Sequence, residues 1–379
     1  MTERPTRVLL LGAYGFFGRR IAAGLARNPR LQLVLAGRDE QKATELAYEL
    51  GLTAAQARAI DATDARLPSL LKKLGIQVLI HTAGPFQKQS YAVAQAAIAA
   101  SCHYLDLADG REFVCGITRL DAAARAARVS VVSGVSSLPA LSSAVVDRYR
   151  PEFSRLESIR IGISSGAVVP GAATLRAVFG YCGQPFLALE SGKWIDVYGW
   201  LDTLAHEFPK QVGVRLLGRC DVPDLELLPK RYPTVHTVSF HAGFASQTAH
   251  RCIEWLSRRV RDGKLASLVP LARPIATLAR WLQPVFSDRG AMFVTLQGVD
   301  EDGAPHRLTW NLVARENHGP NIPCAAAIAL TNKIAGRIAA GTGPEPGAAP
   351  CLGMLSVEEI LEPLKGLSIR EFAPAVSSH

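Results

Sequence analysis

The sequence predicts an α/β protein in which a doubly wound parallel sheet is accompanied by an inserted α+β second domain. Three observations support this prediction. Short apolar runs alternate with helical stretches up to residue 134, the pattern changes after Asp147, and glycines follow the first apolar run at regular spacing. The 379 residues match the length of about two domains. With 48% hydrophobic and 20% charged residues, the composition excludes intrinsic disorder.

The first third of the chain alternates between strands and helices. The predicted strands are the apolar runs Thr6–Leu11, Leu31–Ala36, Ala57–Ile60, Gln77–Thr82, Tyr104–Ala108 and Val129–Ser133. The predicted helices lie between them, at Phe16–Asn28, Glu40–Gly51, Ala65–Gly75, Ser90–Ser101 and Thr118–Arg128. Strands that alternate with helices of this length are joined by right-handed crossovers, which gives a parallel sheet covered on both faces.

The pattern after Asp147 indicates a second domain. The predicted elements there are a strand at Leu156–Ser164, a helix at Pro170–Tyr181, and a hairpin of Arg289–Val299 and Pro305–Arg315. The acidic residues and glycine at 300–303 suit the hairpin turn. Helices are expected from Pro323 to Ala340 and at Val357–Leu364, with a loop at Gly341–Pro350. We therefore assign residues 1–150 to the first domain, completed by about 318–379, and 151–317 to an α+β substrate and dimerisation domain.

Charge and cysteine content narrow the classes of partner. The net charge is 42 − 33 = +9, which suits nucleic acid, an anionic membrane surface or anionic small ligands. Only 7% of residues are aromatic and the basic residues form no long block, so we expect no nucleic-acid partner. The seven cysteines are scattered and never spaced C-x-x-C, which is typical of thiols in a reducing compartment. The histidines form no ligand set, and we expect no metal.

No long apolar run predicts a membrane-spanning helix. The apolar stretch Val8–Phe17 follows two arginines as in a leader peptide, but glycines interrupt it, so a strand running into a turn explains it better. We expect a cytoplasmic protein.

Glycines recur every third residue directly after the first strand. The turn consists of Gly12, Ala13, Tyr14, Gly15, Phe16, Phe17 and Gly18. The first glycine permits a tight turn, the second lets backbone N–H groups approach a pyrophosphate, and the third lets the helix pack close to the strand. The N-terminus of the helix adds unpaired donors and a partial positive charge. The spacing thus predicts a Rossmann-type fold that binds a dinucleotide. The alternative is a glycine turn without a ligand.

The residues at the end of the second strand indicate which dinucleotide the protein binds. Sites for NAD usually carry an acidic residue here, whereas sites for NADP use a nearby arginine to meet the 2′-phosphate. Gly37 is followed by Arg38, and a forked guanidinium is the better phosphate partner, so NADP(H) is favoured over NAD(H). The alternative is that Arg38 is a solvated loop cation. Asp61, after the third strand, is a candidate neighbour of the adenine or a helix cap.

Loops after the later strands should form the rest of the site, because ligands of open α/β sheets bind outside the carboxyl ends of the strands. The candidate cofactor residues after the fourth strand are Thr82, Ala83, Gly84, Pro85 and Phe86. Weak catalytic candidates are Asp109 and Ser136, and these two with Ser137 and Thr174 are the substrate candidates. Each of these residues could instead form a turn or cap a helix.

These motifs resemble the saccharopine dehydrogenase-like NADP-binding oxidoreductases. The resemblance rests on Leu10–Gly18, Val34–Arg38, Ala83–Phe86, His103–Asp106, Ser133–Asp147, Ser165–Thr174, Gly319–Pro323 and Leu352–Leu361. It implies a Rossmann domain completed by carboxyl-terminal segments, an inserted α+β domain, and hydride transfer on imine or enoyl substrates. Members differ widely in substrate. Many carry Gly-Phe-Asp-Ser before the proline near Pro139, where this chain has Val135-Ser136-Ser137-Leu138, so an acidic role at that turn is not implied.

The residues leave the reaction open between C=N and C=C bonds. No tyrosine is followed four residues later by lysine, which argues against the short-chain carbonyl-reductase mechanism. The basic, Trp-containing segment 253–286 is interpreted as packed helices, a lid, a dimer face or a membrane contact, and its prolines weigh against the last. We expect an NADP(H)-dependent oxidoreductase that forms a homodimer. The alternatives are a regulatory protein that senses NADPH and an accessory subunit that docks on a partner or membrane.

Overall fold

A computed structural model describes residues 5–87, 89–166, 172–272, 274, 275, 277 and 287–374, without the side chains of 172–175 and 177. The chain divides into two compact units. The first contains Met1–Leu141 and Asn321–Leu364, and the second contains Ser142–Pro320 and Lys365–His379.

Strands and helices are numbered here in chain order. The strands are β1 (Thr6–Leu11), β2 (Leu31–Gly37), β3 (Ala57–Ala59), β4 (Val78–His81), β5 (His103–Asp106), β6 (Ser130–Ser133), β7 (Arg155–Ser164), β8 (Pro185–Glu190), β9 (Lys193–Tyr198), β10 (Leu204–Glu207), β11 (Val214–Arg219), β12 (Thr237–Gly243), β13 (Gly290–Val299), β14 (Pro305–Ala314), β15 (Gly347–Pro350) and β16 (Ile369–Phe372). The helices are α1 (Gly18–Leu25), α2 (Glu40–Glu49), α3 (Leu67–Lys73), α4 (Ala92–Ala99), α5 (Arg111–Gly116), α6 (Asp121–Ala126), α7 (Ser142–Tyr149), α8 (Ala172–Tyr181), α9 (Asp224–Arg231), α10 (Gln247–Arg261), α11 (Ile322–Ala339) and α12 (Val357–Leu361).

The first unit is built on a seven-stranded sheet in the order β15-β6-β5-β4-β1-β2-β3. Every strand pair in it is parallel, and all four residues of β4 are buried, as expected for a sheet with both faces covered. Chain order reverses at β1, which pairs with β2 on one side and β4 on the other. The predicted fold class is therefore confirmed, and the reversal marks the crevice in which such sheets bind ligands.

The second unit is built on a mixed sheet of nine strands. Seven of them run in the order β10-β11-β12-β7-β13-β14-β16, while β8 pairs with β12 and β9. Strands β7 and β12 are parallel, and β7 pairs with β13 in the antiparallel sense. One face of the central strands buries apolar side chains such as Ile159, Ile161, Val238 and Val294. Side chains alternate along each strand, so the opposite face carries polar residues such as Arg160 and Ser239, together with a smaller apolar cluster around Phe293.

The boundaries of the units differ from those drawn on the sequence. Residues 142–150, assigned there to the first domain, include the whole of α7 and lie in the second unit, where Asp147 binds Arg231 and Tyr232 of the α9 region. Strand β16 also joins the second sheet, because its backbone pairs with β14 from Ile369 to Phe372. The carboxyl-terminal contribution to the first unit is instead Asn321–Leu364.

The predicted loop at 341–350 contains a strand. Residues Gly347–Pro350 pair with β6 in parallel register, because backbone hydrogen bonds at a sheet edge need no large side chain. Within the part of the chain that the structure describes, no helix has the length and apolar character needed to cross a membrane. The seven cysteines, all described, form no disulfide.

The first residues of the basic segment 253–286 belong to helix α10. This helix buries Ile253, Ser257 and Val260, while Trp255 is exposed and lies 4.7 Å below the guanidinium of Arg259. Residues 273, 276 and 278–286 of that segment lie outside the described residues.

Candidate functional site

The glycine turn after β1 is fixed by close backbone packing. Gly12 has φ +88°, a conformation that side chains disfavour, and a Cβ there would lie 2.6 Å from Oγ1 of Thr82. A Cβ on Gly18 would lie 2.1 Å from the carbonyl oxygen of Gly12. Gly15 is exposed. Two glycines thus serve the packing of the turn, and the third leaves its outer surface open.

Backbone donors at this turn remain available to a ligand. The amides of Gly12 and Ala13 donate to the carbonyl of Ala36, at 2.8 and 3.0 Å. Within the described part of the chain, the amides of Phe16 and Phe17 have no hydrogen-bond partner. They lie directly before α1, where the helix leaves unsatisfied N–H groups and a partial positive charge. A glycine cradle with free amides at a helix N-terminus fits the pyrophosphate of a dinucleotide.

The end of β2 is joined to this turn by Tyr14. The backbone amide of Asp39 donates to the Tyr14 hydroxyl over 2.9 Å. Asp39 also caps α2 by accepting from the amide of Lys42 at 3.2 Å, and its second oxygen pairs with Nζ of Lys42 at 2.9 Å. The hydrogen bond from the Lys42 side chain is the main reason that the pKa of Asp39 is lowered. The carboxylate is therefore already engaged, whereas Arg38 is exposed beside it.

Asp61 is engaged in its own turn. It accepts hydrogen bonds from the amide and the hydroxyl of Thr63, at 2.9 and 2.8 Å, and these bonds lower its pKa. The nearby charge of Arg38 lowers that pKa further. The structure thus brings Arg38 and Asp61 near each other beyond β2 and β3, with Asp61 stabilising a turn.

The loop after β4 is held against the glycine turn. Thr82 donates from Oγ1 to the carbonyls of Leu11 and Gly12, at 2.9 and 3.1 Å. Gln89, which sequence reasoning missed, donates from Nε2 to the carbonyls of Ala83 and Pro85, at 3.1 and 2.7 Å. Gly84 and Pro85 are exposed at the tip of the loop.

Phe86 anchors the far end of the same loop. It is buried against the His81 ring at a centroid distance of 5.0 Å, and against Phe113 at 5.4 Å. All five predicted cofactor residues after β4 therefore lie on one ordered loop at the carboxyl edge of the sheet. The only sequence signal for Gln89 was a polar residue close to a Gly-Pro turn.

A buried polar network underlies this edge, and sequence reasoning also missed it. Nδ1 of His81 lies 3.0 Å from the hydroxyl of Tyr104, and His81 is 1% exposed. Burial lowers the pKa of His81 to about 4. Oδ1 of Asp106 accepts from Ser133 Oγ and from the amides of Ala108 and Gly134, each at 2.9 Å. Burial nevertheless raises the pKa of Asp106 to about 6. The network ties the ends of β4, β5 and β6 together.

The catalytic candidates lie on this edge in different surroundings. Asp109 is reachable by solvent and accepts from Nε2 of Gln87 at 3.1 Å, so the loops after β4 and β5 meet there. Surrounding protein atoms displace part of its hydration and raise the pKa of its carboxyl. Ser136 is half-buried and its amide donates to the carbonyl of Gly134, whereas Ser137 is buried. The side chain of Thr174 lies outside the described residues.

The described residues hold no group of three metal-binding side chains. The first unit offers a phosphate cradle, a guanidinium beyond β2, and two carboxyl groups of raised pKa at its rim of loops, the buried Asp106 and the solvent-reachable Asp109.

Comparisons with known proteins agree with this geometry. The family model described as "Saccharopine dehydrogenase NADP binding domain" matches residues 8–132. Two Mycobacterium tuberculosis proteins, each named "Putative trans-acting enoyl reductase", are 33% identical to this chain over 144 residues, which is 36% of this chain. The match spans about a third of those relatives' own length, at 34%.

Among solved structures, apo saccharopine dehydrogenase (L-Glu forming) from Saccharomyces cerevisiae is similar to this chain with a TM-score of 0.66. The likeness covers 98% of this chain and 100% of that chain, at 16% sequence identity, and so concerns the fold. Residues 8–132 therefore match the saccharopine dehydrogenase NADP-binding domain, and the chain shares the fold of saccharopine dehydrogenase.

Proposed function

We propose that the protein is an NADP(H)-dependent oxidoreductase that transfers a hydride to or from a C=C or C=N bond of a small organic substrate. The observation that carries this proposal is the glycine turn at 12–18, whose unpartnered amides at Phe16 and Phe17 lie at the N-terminus of α1. The family match over residues 8–132 supports a nucleotide of the NADP type.

The surroundings of Arg38 support NADP(H) over NAD(H). An acidic residue at the end of β2 would ordinarily bind the ribose 2′-hydroxyl of NAD. Here Asp39 caps α2 and pairs with Lys42, so its oxygens are occupied within the protein. Arg38 is exposed beside it and offers a guanidinium to a 2′-phosphate.

The chain's own residues would position and protonate the substrate. A bound nicotinamide supplies the hydride. Thr82 holds the loop that carries Ala83–Phe86 against the glycine turn, and Gln89 braces that loop from within, so the loop would form one wall of the cofactor site. Asp109, whose pKa is raised, keeps a proton to higher pH than an ordinary carboxyl and is the candidate proton donor.

The names of the relatives favour a C=C bond over a C=N bond. The mycobacterial relatives carry a name that refers to an enoyl group, which is a C=C bond conjugated to a carbonyl. Reduction of such a bond requires a proton at the α-carbon, and Asp109 is a group that could deliver it. An iminium substrate already carries its proton and requires orientation alone.

The test has two stages. NADPH and NADH are first titrated by fluorescence, and NADPH is expected to bind more tightly. Cofactor oxidation is then followed with a panel of enoyl thioesters, enones and preformed imines, and turnover with one class is expected. Binding without turnover across the panel would favour a protein that senses NADPH, and no binding of either nucleotide would leave an accessory subunit as the better account.

A further inference from the structure

The second unit contains a cavity of about 320 Å³ on the polar face of its sheet. This volume lies at the lower end of the roughly 300–1,000 Å³ that small-molecule sites occupy. Its lining includes Arg160, Arg219, Ser239 and His241, together with Glu190 and Asp202. Arg160 is paired in register with Ser239 across β7 and β12, and Arg219 with His241 across β11 and β12. The cavity is therefore formed by neighbouring strands of one sheet.

The charges in the cavity leave one cation without a partner. Arg219 forms ion pairs with both acidic residues, Glu190 and Asp202, the second at 3.3 Å. The side chain of Arg160 is half-buried, and its guanidinium has no hydrogen bond or ion pair to any residue that the structure describes. Burial lowers its pKa, and the nearby guanidinium groups of Arg307 and Arg219 lower it more than Glu190 raises it. An anion beside Arg160 would relieve this repulsion.

His241 supplies an independent sign of a missing ligand. It is 5% exposed, and its Nδ1 is buried with no hydrogen-bond partner among the described residues. A buried polar atom without a partner costs about 1–3 kcal/mol, so such atoms usually face a ligand or water. Burial, followed by the charges of Arg219 and Arg160, lowers the pKa of His241 to about 3. The ring is neutral near pH 7 and donates from Nδ1 in one of its two tautomers.

We propose that this cavity binds the carboxylate or phosphate group of a small molecule, with Arg160 pairing with the oxyanion and His241 donating to it from Nδ1. A planar guanidinium suits both kinds of oxyanion, because it presents two parallel N–H donors. The hydroxyl of Ser239 lines the same wall and adds a neutral donor. The site lies wholly within the second unit and does not depend on the proposed redox activity.

Isothermal titration calorimetry tests the site with sodium phosphate and sodium succinate, each at up to about 10 mM, against sodium chloride of equal ionic strength. The protein carries Arg38→Gln, which weakens the competing phosphate site proposed in the first unit. One of the two oxyanions is expected to bind and chloride is not. Tighter binding of phosphate would indicate that the natural ligand is a phosphate ester, and tighter binding of succinate would indicate a carboxylic acid.

Variants decide whether Arg160 carries the binding. Arg160→Gln is expected to lower the affinity for the oxyanion at least about tenfold, and Arg160→Lys is expected to lower that affinity less. Arg155→Gln is the matched control, because Arg155 is an exposed arginine of the same strand that pairs with Glu157 and does not line the cavity. The proposal is overturned if neither oxyanion binds the unaltered cavity, or if Arg155→Gln and Arg160→Gln weaken binding equally.

If Arg160→Gln fails to fold, the ring nitrogen resonances of His241 replace it as the readout. The bound oxyanion is expected to shift the Nδ1 resonance of His241. An unchanged resonance at a saturating oxyanion concentration contradicts the site. NADPH affinity, measured in parallel without Arg38→Gln, reports separately on the proposed function.

Discussion

The hydroxyl of Tyr14 accepts a hydrogen bond from the backbone amide of Asp39 over 2.9 Å. This bond joins the glycine turn after β1 to the start of α2, so the proposed pyrophosphate and 2′-phosphate positions belong to one rigid surface. The approach is close, because a Cβ on Gly37 would lie 2.5 Å from the Tyr14 ring. Sequence spacing located both loops and placed Tyr14 in the first of them, but it gave no sign that the Tyr14 hydroxyl connects the two.

Replacing Arg38 tests the assignment of the 2′-phosphate. Arg38→Gln is expected to weaken NADPH by about 10- to 100-fold and to leave NADH almost unchanged, because a charge-assisted hydrogen bond contributes about 1.5–3 kcal/mol. Fluorescence titration of both nucleotides measures the effect. Lys42→Gln is the control, since Lys42 is already paired with Asp39. Equal losses for both nucleotides would remove the assignment.

The parallel sheet was predictable because its strands are short, apolar and separated by helices. β1 was predicted at its observed bounds, and β2 and β6 to within one residue. The hairpin of β8 and β9 was not predicted. Large apolar residues such as Leu187 and Trp194 are exposed there, so apolar and polar side chains do not alternate clearly along these strands. β16 was placed in the wrong unit, because pairing with β14 is a contact distant in sequence.

The candidate site also has a part that the sequence predicted and a part that it did not. Glycines and the residue after β2 have roles that depend on local backbone geometry, so their spacing alone predicted where they lie. The interactions of Gln89, and of His81 with Tyr104, depend on which strands are neighbours in the sheet. Those contacts follow from the order of the sheet, which the sequence does not state.

Gly18 and Gly336 should respond in opposite ways to substitution by alanine. A Cβ at Gly18 would lie 2.1 Å from a backbone oxygen, so Gly18→Ala is expected to lower the free energy of unfolding by about 1–3 kcal/mol and to weaken NADPH. Gly336 lies within α11 with open space around it, so Gly336→Ala should stabilise by about 0.5–1 kcal/mol. Urea unfolding measures both. A neutral Gly18→Ala would contradict the packing of the turn.

His81 should make the protein sensitive to mild acid. Its pKa is about 4 when folded against 6.5 for an ordinary histidine, so the unfolded chain takes up a proton first as pH falls. The stability that neutral His81 contributes is present above about pH 6.5 and is lost towards pH 4, a difference of about 3 kcal/mol. His81→Gln should flatten the dependence of unfolding free energy on pH in this window. An unchanged slope would contradict the burial of a neutral ring.

Asp106 should change the dependence of the unfolding free energy on pH in the direction opposite to His81. Its pKa is raised from 3.8 to about 6, so the folded state holds the proton more tightly than the unfolded state. Its contribution to stability is present below about pH 3.8 and is lost as pH rises through about 6. Unfolding free energies of Asp106→Asn should therefore fall more steeply than those of the unaltered protein between pH 6 and 4. A shallower fall would show that the carboxyl is ionised throughout.

Asp109 should matter for turnover and not for cofactor binding. Asp109→Asn is expected to lower turnover by about 100-fold, since a positioned proton donor contributes 10²–10⁴-fold, while the NADPH affinity stays the same. In the unaltered protein, turnover should decline as pH rises through the raised pKa of Asp109, because only the protonated carboxyl donates. Ser136→Ala is the companion variant. Full turnover in Asp109→Asn with loss in Ser136→Ala would move the role to the serine.

The central claim is that the turn from Gly12 to Gly18 holds a dinucleotide, and a crystal structure of the protein grown with saturating NADPH tests it most directly. The account predicts the pyrophosphate within hydrogen-bond distance of the Phe16 and Phe17 amides, with the 2′-phosphate beside Arg38. A crevice filled only by solvent, or a nucleotide bound elsewhere on the chain, would contradict it.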